Sequence, residues 1–490
     1  MVELLKAWLK PGSGPVVARL YHRAFALVCL AAWLSLASQI LLLAGGDGLL
    51  PWDEYQRNKD LQFHAYPTLF FFGASDATLL FGCWFGAGVS VLGFVGIYPR
   101  ACAAINAILY ISYIAVCRWF LWFQWDSLLV ECAVLAVFLP TDRKSLGAHT
   151  MFRLLLFKLY FESGIAKLHS PIQDWLDGSA MTFYYETSPL PTWLGWYAHQ
   201  LPESWHVFES WAVMSFEIVG AILILGGRRM RLVAFAGFST FMVINLATAN
   251  YGFFCHLALA LHLFLLDDKD IKRIGSFLVA RAPAIINKLS SRTRMPRLWR
   301  PTTPAALRRA KRIAAYALVT LWIGISLLEG VTRFAGYKGM NDVRRYYVRL
   351  RVANVYHLFP SVTRDRFEPT FETRDAGGDW TARHLRYKPG ATKRPPLFVA
   401  PHMPRVDFRL WFYGLSAGGA PGWVRKLVHH MCNKPSAVQQ LFRASLPERP
   451  HAVRIQFYRY EMTSFAERRE HGTWWKRQFV RTAYSKRCPR

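Results

Sequence analysis

The chain has 490 residues, more than one ordinary domain needs, and 53% of them are hydrophobic, including 19 Trp and 35 Phe. A formal charge of +29 would suit a nucleic-acid binder. Much of that charge flanks long apolar stretches, where membrane topology explains it, so the expected partners are a lipid bilayer, with anionic lipid at the basic loops, and no nucleic acid.

Near the N-terminus, Lys6, Lys10, Arg19 and Arg23 surround the start of an apolar run too long for a signal-peptide core, which therefore reads as a first membrane span. A span needs about 20 apolar residues, fewer where neighbours shelter it. Nine stretches qualify, near 21–44, 68–97, 101–123, 126–140, 151–169, 205–226, 231–249, 251–266 and 313–335. The basic gaps are the N-terminus, the Arg100 turn, the turn at 142–144, the turn at 228–231 and the long loop 267–312. The opposite gaps are balanced or acidic: residues 170–204 carry Asp174, Asp177, Glu186 and Glu203 without any Lys or Arg. Arginine and lysine gather on the cytoplasmic side, so the N-terminus is expected there, with residues 336–490 on the far side. That holds only for an odd number of crossings.

Several ionisable residues fall inside these stretches. On the fifth, Lys158, Glu162 and His169 lie within about 40° of one another around a helix, with Lys167 opposite. Charges at that depth face the bundle interior or a cavity, and they raise a functional question by default. The plainer expectation is a self-neutralising Lys158–Glu162 pair at i,i+4, with Lys167 and His169 reaching the interface. Glu131 and Glu217 need a partner or a proton, and Arg118 can snorkel. Six cysteines (Cys29, Cys83, Cys102, Cys117, Cys132 and Cys255) sit in apolar segments as small core residues, leaving Cys432 and Cys488 in the tail with their pairing open. No metal site and no cofactor are expected.

The loop at 170–202 is dense in Trp, Tyr, Phe and Pro and nearly uncharged. It should lie on the membrane or pack onto the tail, either as an anchor or as an apolar reception surface for a partner. In the tail, residues 346–355, 366–373, 380–388, 395–400, 406–413 and 453–463 alternate like strands, and 422–431 and 436–443 read as helical. The expected fold is a polytopic α-helical membrane bundle of about nine spans (1–335) followed by a β-rich, sandwich-like soluble C-terminal domain (336–490). On strands, Arg405 and Asp407 would share a face and pair. Arg454, Gln456, Tyr458 and Tyr460 would share another, with Arg459 turned away. The tail holds 30 Lys and Arg against 11 Asp and Glu. No GxSxG, HExxH, Walker A or GxGxxG motif stands in a fitting context.

Taken together, Trp175, Asp177, Tyr184-Tyr185-Glu186-Thr187, Pro189, Pro191 and Tyr197-Ala198-His199 in the loop, and Asn354-Val355-Tyr356, 362–368, Lys388-Pro389-Gly390, 394–396, 400–402, 405–412, Val453-Arg454, 457–460 and 474–477 in the tail, resemble the lipase maturation factor family. His357 and Pro360 depart from its pattern. A shorter likeness, Gly164-Ile165-Ala166-Lys167-Leu168 followed by Trp175, resembles the membrane part of vitamin K-dependent γ-carboxylase relatives. The length and basic balance look bacterial.

The family resemblance implies a membrane protein that helps secreted lipases reach an active, assembled state, with a lumenal C-terminal domain that engages the client. It implies the endoplasmic reticulum membrane for a eukaryotic chain and the inner membrane for a bacterial one. The partner is then an exported lipase-like hydrolase. The client-binding candidates are Trp175, Tyr184, Tyr185, Glu186, His199, Arg364, Arg366, Arg405, Asp407, Trp411, Arg454, Tyr458, Arg459 and Tyr460. Chaperoning needs no catalytic group. The alternative is a membrane enzyme acting on a lipid-soluble substrate or cofactor, with Lys158, Glu162 and His169 as acid–base groups.

Overall fold

The computed structural model describes residues 14–57, 63, 66–281, 305–336, 339, 344, 347–416 and 419–489. Lys6, Lys10 and the middle of the basic loop, 282–304, lie outside the described residues.

Among the described residues, six helices are long and apolar enough to cross a membrane: Pro15–Ala37, Asp76–Val95, Pro99–Leu121, Glu203–Ile224, Arg228–Thr248 and Ala317–Phe334. The nine expected spans are therefore not upheld by length and composition. The other three are helices of a different kind. Gln124–Val137 has 14 residues, Phe254–Leu265 is shorter still, and Leu146–Leu168 carries Arg153, Lys158, Glu162 and Lys167. All three are largely buried by neighbouring helices rather than facing outward. A sheltered helix need not be uniformly apolar.

Local chemistry sets the helix ends. Pro15 opens the first span, where a missing N–H costs nothing. The Asp268 carboxylate accepts from the backbone N–H of Gly14, Val16 and Val17, at 2.9, 3.2 and 3.0 Å, placing an anion at the helix's positive end. Ser75 caps the Asp76–Val95 helix by accepting from the Thr78 N–H, and Gly96, at φ 91°, ends it in the left-handed conformation that glycine adopts without strain. Between 216 and 220 the Glu203–Ile224 helix widens into a π segment. Gly164 lets the Leu146–Leu168 helix approach that segment, since a Cβ there would lie 2.6 Å from Ile218 Cγ1.

The tail holds one four-stranded antiparallel sheet in the order β2-β1-β3-β4: β1 Arg366–Arg374, β2 Thr381–Arg383, β3 Ala452–Met462 and β4 Trp475–Arg487. β1 and β3 pair in unbroken register from Arg366↔Tyr460 to Arg374↔Ala452, while β4 is bulged twice against β3. The expected sandwich is thus a single sheet backed by helices. Residues 395–400 are not a strand, and 348–350 form a 3-10 turn where a strand was expected.

The segment 406–413 is the clearest correction. It lies in a helix, Arg405–Leu415, opened by Pro404, with buried Val406, Leu410 and Tyr413 recurring at helical spacing. Gly414 leaves no room for a Cβ against the carbonyl of Phe367, so this helix rests directly on β1. The helix Gly422–Asn433 forms as expected, and Cys432 is disulfide-bonded to Cys488, tying it to the end of β4. One hydrophobic core runs without a break from Val17 in the bundle through Tyr356, Phe371 and Val406 to Cys488.

Candidate functional site

Bundle side chains bind the tail's backbone through two straps. In the first, residues 352–362, Trp322 Nε1 donates to the Val352 carbonyl at 3.0 Å, and Gln124 both accepts from the His357 N–H (2.7 Å) and donates to its carbonyl (3.2 Å). Glu162 accepts from the Tyr356 N–H at 2.8 Å, Ser163 from Leu358 N at 3.3 Å, and Asp174 from Val362 N at 2.6 Å. Lys167 Nζ donates to the Leu358 carbonyl (3.0 Å), and Trp175 Nε1 to that of Phe359 (3.1 Å). The second strap spans 397–405. Asn250 clasps Leu397, Val399 and Ala400, while Ser35 and Gln39 bond the backbone of Met403 and Arg405. A strap without regular secondary structure has backbone groups left over, and these side chains satisfy them.

Buried ion pairs reinforce the straps. Glu131 is a hub: it accepts from Lys158 Nζ (2.8 Å), Asn354 Nδ2 (2.8 Å) and the Tyr356 hydroxyl (2.6 Å). The expected Lys158–Glu162 pair does not form, because Lys158 turns to the neighbouring helix and Glu162 turns to the strap. Nor does Lys167 reach the interface; it is buried against Glu217 at 2.6 Å, which the π segment brings inward. His169 lies exposed at the helix end, its Nδ1 2.9 Å from its own helix's Ile165 carbonyl. The three residues of the enzymatic alternative are therefore not assembled into one site. Among the described residues no cluster suited to a metal ion occurs.

Arg405 is 2% exposed and makes a two-pronged pair with Asp126, at 2.7 and 2.8 Å, with the Tyr110 hydroxyl donating to the same carboxylate at 2.8 Å. Its expected partner Asp407 points elsewhere, since residues two apart on a helix do not share a face. Asp407 is buried and accepts from the Tyr387 N–H at 3.3 Å. Burial pushes its carboxyl up to about 6, with Lys388 pulling the other way.

The aromatic loop packs under the tail, with Trp193 and Tyr197 still partly exposed. Arg366 donates to the carbonyls of Glu186, Ser188 and Pro189 and pairs with Glu368 at 2.5 Å, which also holds Lys388 at 2.9 Å. Trp411 Nε1 donates to the Thr187 carbonyl (2.8 Å), and the Glu186 carboxylate accepts from Met462 N (2.6 Å). The Tyr184 hydroxyl meets Asn245 and Tyr251, that of Tyr185 meets Glu209, and that of Tyr460 reaches the Gly390 carbonyl. Trp175, Tyr184, Tyr185, Arg366, Arg405, Asp407 and Tyr460 are thus buried and engaged internally. Of the remaining candidates, Arg364 faces Asp177 (3.6 Å), Arg454 pairs with Glu372 (2.6 Å), Arg459 with Asp365 (2.9 Å), and Tyr458 packs on Phe479. These four and His199 keep some surface.

Between the first strap and the Arg405–Leu415 helix opens a cleft of about 820 Å³. Its walls include Trp122, Phe123, Phe408, Trp411, Phe412 and Arg409. The Arg409 guanidinium lies 5.1–5.6 Å from the ring centres of Trp119, Phe123 and Phe412, within cation–π range. Sequence reasoning passed over Arg409 and Phe412 as site residues; the run Phe408-Arg409-Leu410-Trp411-Phe412 was visible, but a strand reading put its side chains on the wrong faces.

Three histidines around this junction give a pH signature. Burial pushes His199, His357 and His402 down to about 4, with the neighbouring His206, Arg333 and Arg405 charges adding to the effect in turn. Each is neutral when folded, whereas in the unfolded chain it takes a proton near pH 6.5. Their contribution is therefore complete above about 6.5 and is lost as pH falls through about 4, by at most about 3 kcal/mol each. Asp407 acts in the opposite sense, its stabilising effect fading as pH rises from about 4 to 6. Melting in detergent should drop steeply below pH 6, and His402→Gln should flatten that slope. An unchanged slope would show that His402, whose Nδ1 sits 2.9 Å from Ser35 Oγ, is not a neutral junction residue.

The fold and these contacts define a class: an integral membrane protein whose helical bundle and sheet-bearing tail are clasped into one unit, with an aromatic cleft at the seam. Two family models match the chain, the lipase maturation factor transmembrane domain over residues 16–273 and the lipase maturation factor C-terminal domain over 352–485. The chain belongs to the lipase maturation factor family. It is similar to lipase maturation factor 2 of Homo sapiens (28% identical, 94% of this chain and 81% of the relative) and of Gallus gallus (27%, 94% and 80%). It is also similar to lipase maturation factor 1 of Bos taurus (27%, 96% and 89%). No solved structure matches. None of these matches supports the expected likeness to γ-carboxylase relatives or the expectation of a bacterial chain.

Proposed function

We propose that this protein is a membrane-embedded maturation factor for secreted lipases, acting as a chaperone at the cleft between bundle and tail. The name its relatives carry supplies the client class. The observation that carries the cleft is its surface: partly exposed aromatic rings, with Arg409 and Phe412 at the rim, held on a rigidly docked helix. A half-folded or unassembled lipase exposes apolar surface of its own, and such surface seeks aromatic walls. The candidates Arg364 and Arg459, which are exposed, and Arg454, Tyr458 and His199, which are half-buried, lie on the tail and the loop and would extend the contact. A eukaryotic chain would sit in the endoplasmic reticulum membrane.

The reading places the tail outside the cytosol after nine crossings, the three enclosed helices completing the six long ones. Three observations support it. Arg19, Arg100 and Arg231 meet Thr141, Val137 and Asp267 at one end of the bundle. Both straps are held at the opposite helix ends, by Gln39, Gln124, Lys167 and Asn250. The Cys432–Cys488 disulfide belongs to an oxidising compartment.

The test is retention of a denatured secreted lipase by the full-length protein in nanodiscs. Arg409→Gln with Phe412→Ser should weaken retention at least about tenfold, as loss of an arginine and an aromatic anchor together does, without moving the melting temperature. Undiminished retention by a folded double variant would remove the cleft from the client contact.

A further inference from the structure

Beside the cleft, at the tail-side end of the Pro99–Leu121 span, lies a smaller pocket of about 260 Å³. Arg118, Arg349 and Arg351 converge on it, and the rest of its lining is aromatic or aliphatic, with no Asp or Glu among the described residues. Three guanidiniums lining so small a space repel unless an anion joins them. Glu54, on the same short helix as Tyr55, is paired with Lys426 at 2.9 Å, and Asp126 is held two-pronged by Arg405. Each thus has a cation of its own in direct contact, and its charge reaches Arg118 or Arg351 only from a distance.

The Nε–H groups of Arg118 and Arg351 are buried and donate to nothing among the described residues. Arg118 lies 4.0 Å from the ring centre of Tyr55, whose hydroxyl is 2.8 Å from that of Tyr66. Arg349 and Arg351 both flank Trp122, at 5.8 and 5.9 Å. Planar guanidiniums fixed on aromatic faces are preorganised donors for a tetrahedral oxyanion.

The apolar side of the pocket belongs to the membrane. Ile111, Ile114 and Ala115 lie on the last turns of a span, and Trp119 and Trp122, on either side of its end, are about half exposed, where an interfacial aromatic belt sits. A ligand here meets three cations at headgroup depth and an aliphatic wall below them.

We propose that this pocket binds the phosphate of a membrane phospholipid, with Arg118, Arg349 and Arg351 on the phosphate oxygens and an acyl chain along Ile111 and Ile114. Arg351 also lines the neighbouring cleft, so the bound lipid would form part of its floor. The site concerns the leaflet on the tail's side and stands whether or not the cleft receives a client.

Native mass spectrometry of the full-length protein released from micelles tests it, with phosphatidylglycerol, diacylglycerol (the same chains without phosphate) and inorganic phosphate as separate probes. One phosphatidylglycerol should be retained, diacylglycerol should not, and inorganic phosphate should bind at least tenfold more weakly. Arg118→Gln with Arg351→Gln should reduce lipid retention at least tenfold, whereas Arg425→Gln, on the exposed face of a tail helix, should not change it. If the double variant does not fold, Arg349→Gln, at an exposed position, should still lower retention severalfold. Equal retention of diacylglycerol, full retention by the arginine variants, or binding of free phosphate in preference to lipid would each overturn the proposal.

Discussion

Arg405→Ala is expected to undock the tail from the bundle. Among the described residues, the substitution leaves the Asp126 carboxylate, fully buried, with the Tyr110 hydroxyl as its one remaining donor. Breaking one side of a buried pair costs about 3–5 kcal/mol, because the surviving charge stays desolvated and unneutralised. That is a large share of the whole stability of a domain. The effect is also placed where it does most harm, since Arg405 ends the second strap and starts the helix that walls the cleft. Limited proteolysis of the variant in detergent should cut within 397–405 and release the tail, at temperatures where the wild-type chain is intact. Arg405→Met combined with Asp126→Leu removes both charges and should recover much of the loss. If the single variant melts like the wild type, the pair is not what holds the tail in place.

The second large effect is expected at Glu131. Glu131→Ala deprives Lys158 of its carboxylate and the Tyr356 hydroxyl of its acceptor, and leaves Asn354 Nδ2 with the Arg351 carbonyl alone, at 3.0 Å. Lys158 then has Ser326, at 3.3 Å, as its remaining hydrogen-bond partner. The cost should again be about 3–5 kcal/mol, with loosening of residues 352–362 visible as faster amide exchange. The informative companion is Lys158→Met with Glu131→Met, which keeps volume and removes both charges. A structural pair predicts a folded double variant that still matures its client. An acid–base role for Lys158 predicts a folded protein without activity, and that outcome would revive the enzymatic alternative.

The two experiments also separate two ways of losing function. Arg405→Ala and Glu131→Ala should abolish client maturation through instability, so activity and melting temperature fall together. The rim changes at Arg409 and Phe412 should reduce client retention while melting stays put. This division follows from burial: the first pair of residues is inside the seam, and the second lines its open mouth.

Much of the helical part was legible because lipid imposes a simple rule: a span must be long and apolar, and its flanking charges sort by side. The rule marks the six helices that prove long and apolar, and it marks as well three stretches that neighbouring helices enclose. Leu146–Leu168 looked like a charged span with its own i,i+4 pair. Inside the bundle, however, Lys158 has a choice of partners, and the nearest well-oriented carboxylate comes from Glu131, 27 residues away. The sheet was legible at β1 and β3, where alternation meets a buried face. β4 was missed because it lies at the edge with most of its side chains exposed, so no apolar period marks it. The helix at 405–415 was misread because an aromatic-rich run fits both periods until its neighbours are known.

By itself, then, the sequence determined the membrane character, the family and the asymmetry of charge, because each of these is written in composition and order along the chain. Only the tertiary structure decided which buried charge meets which, that the aromatic loop lies beneath the tail, and that the residues carrying the family likeness mostly clasp the two parts together. Those outcomes depend on side chains hundreds of positions apart, such as Gln39 and Arg405. A buried charge must be neutralised by whichever opposite group packing delivers, and packing is a property of the whole fold.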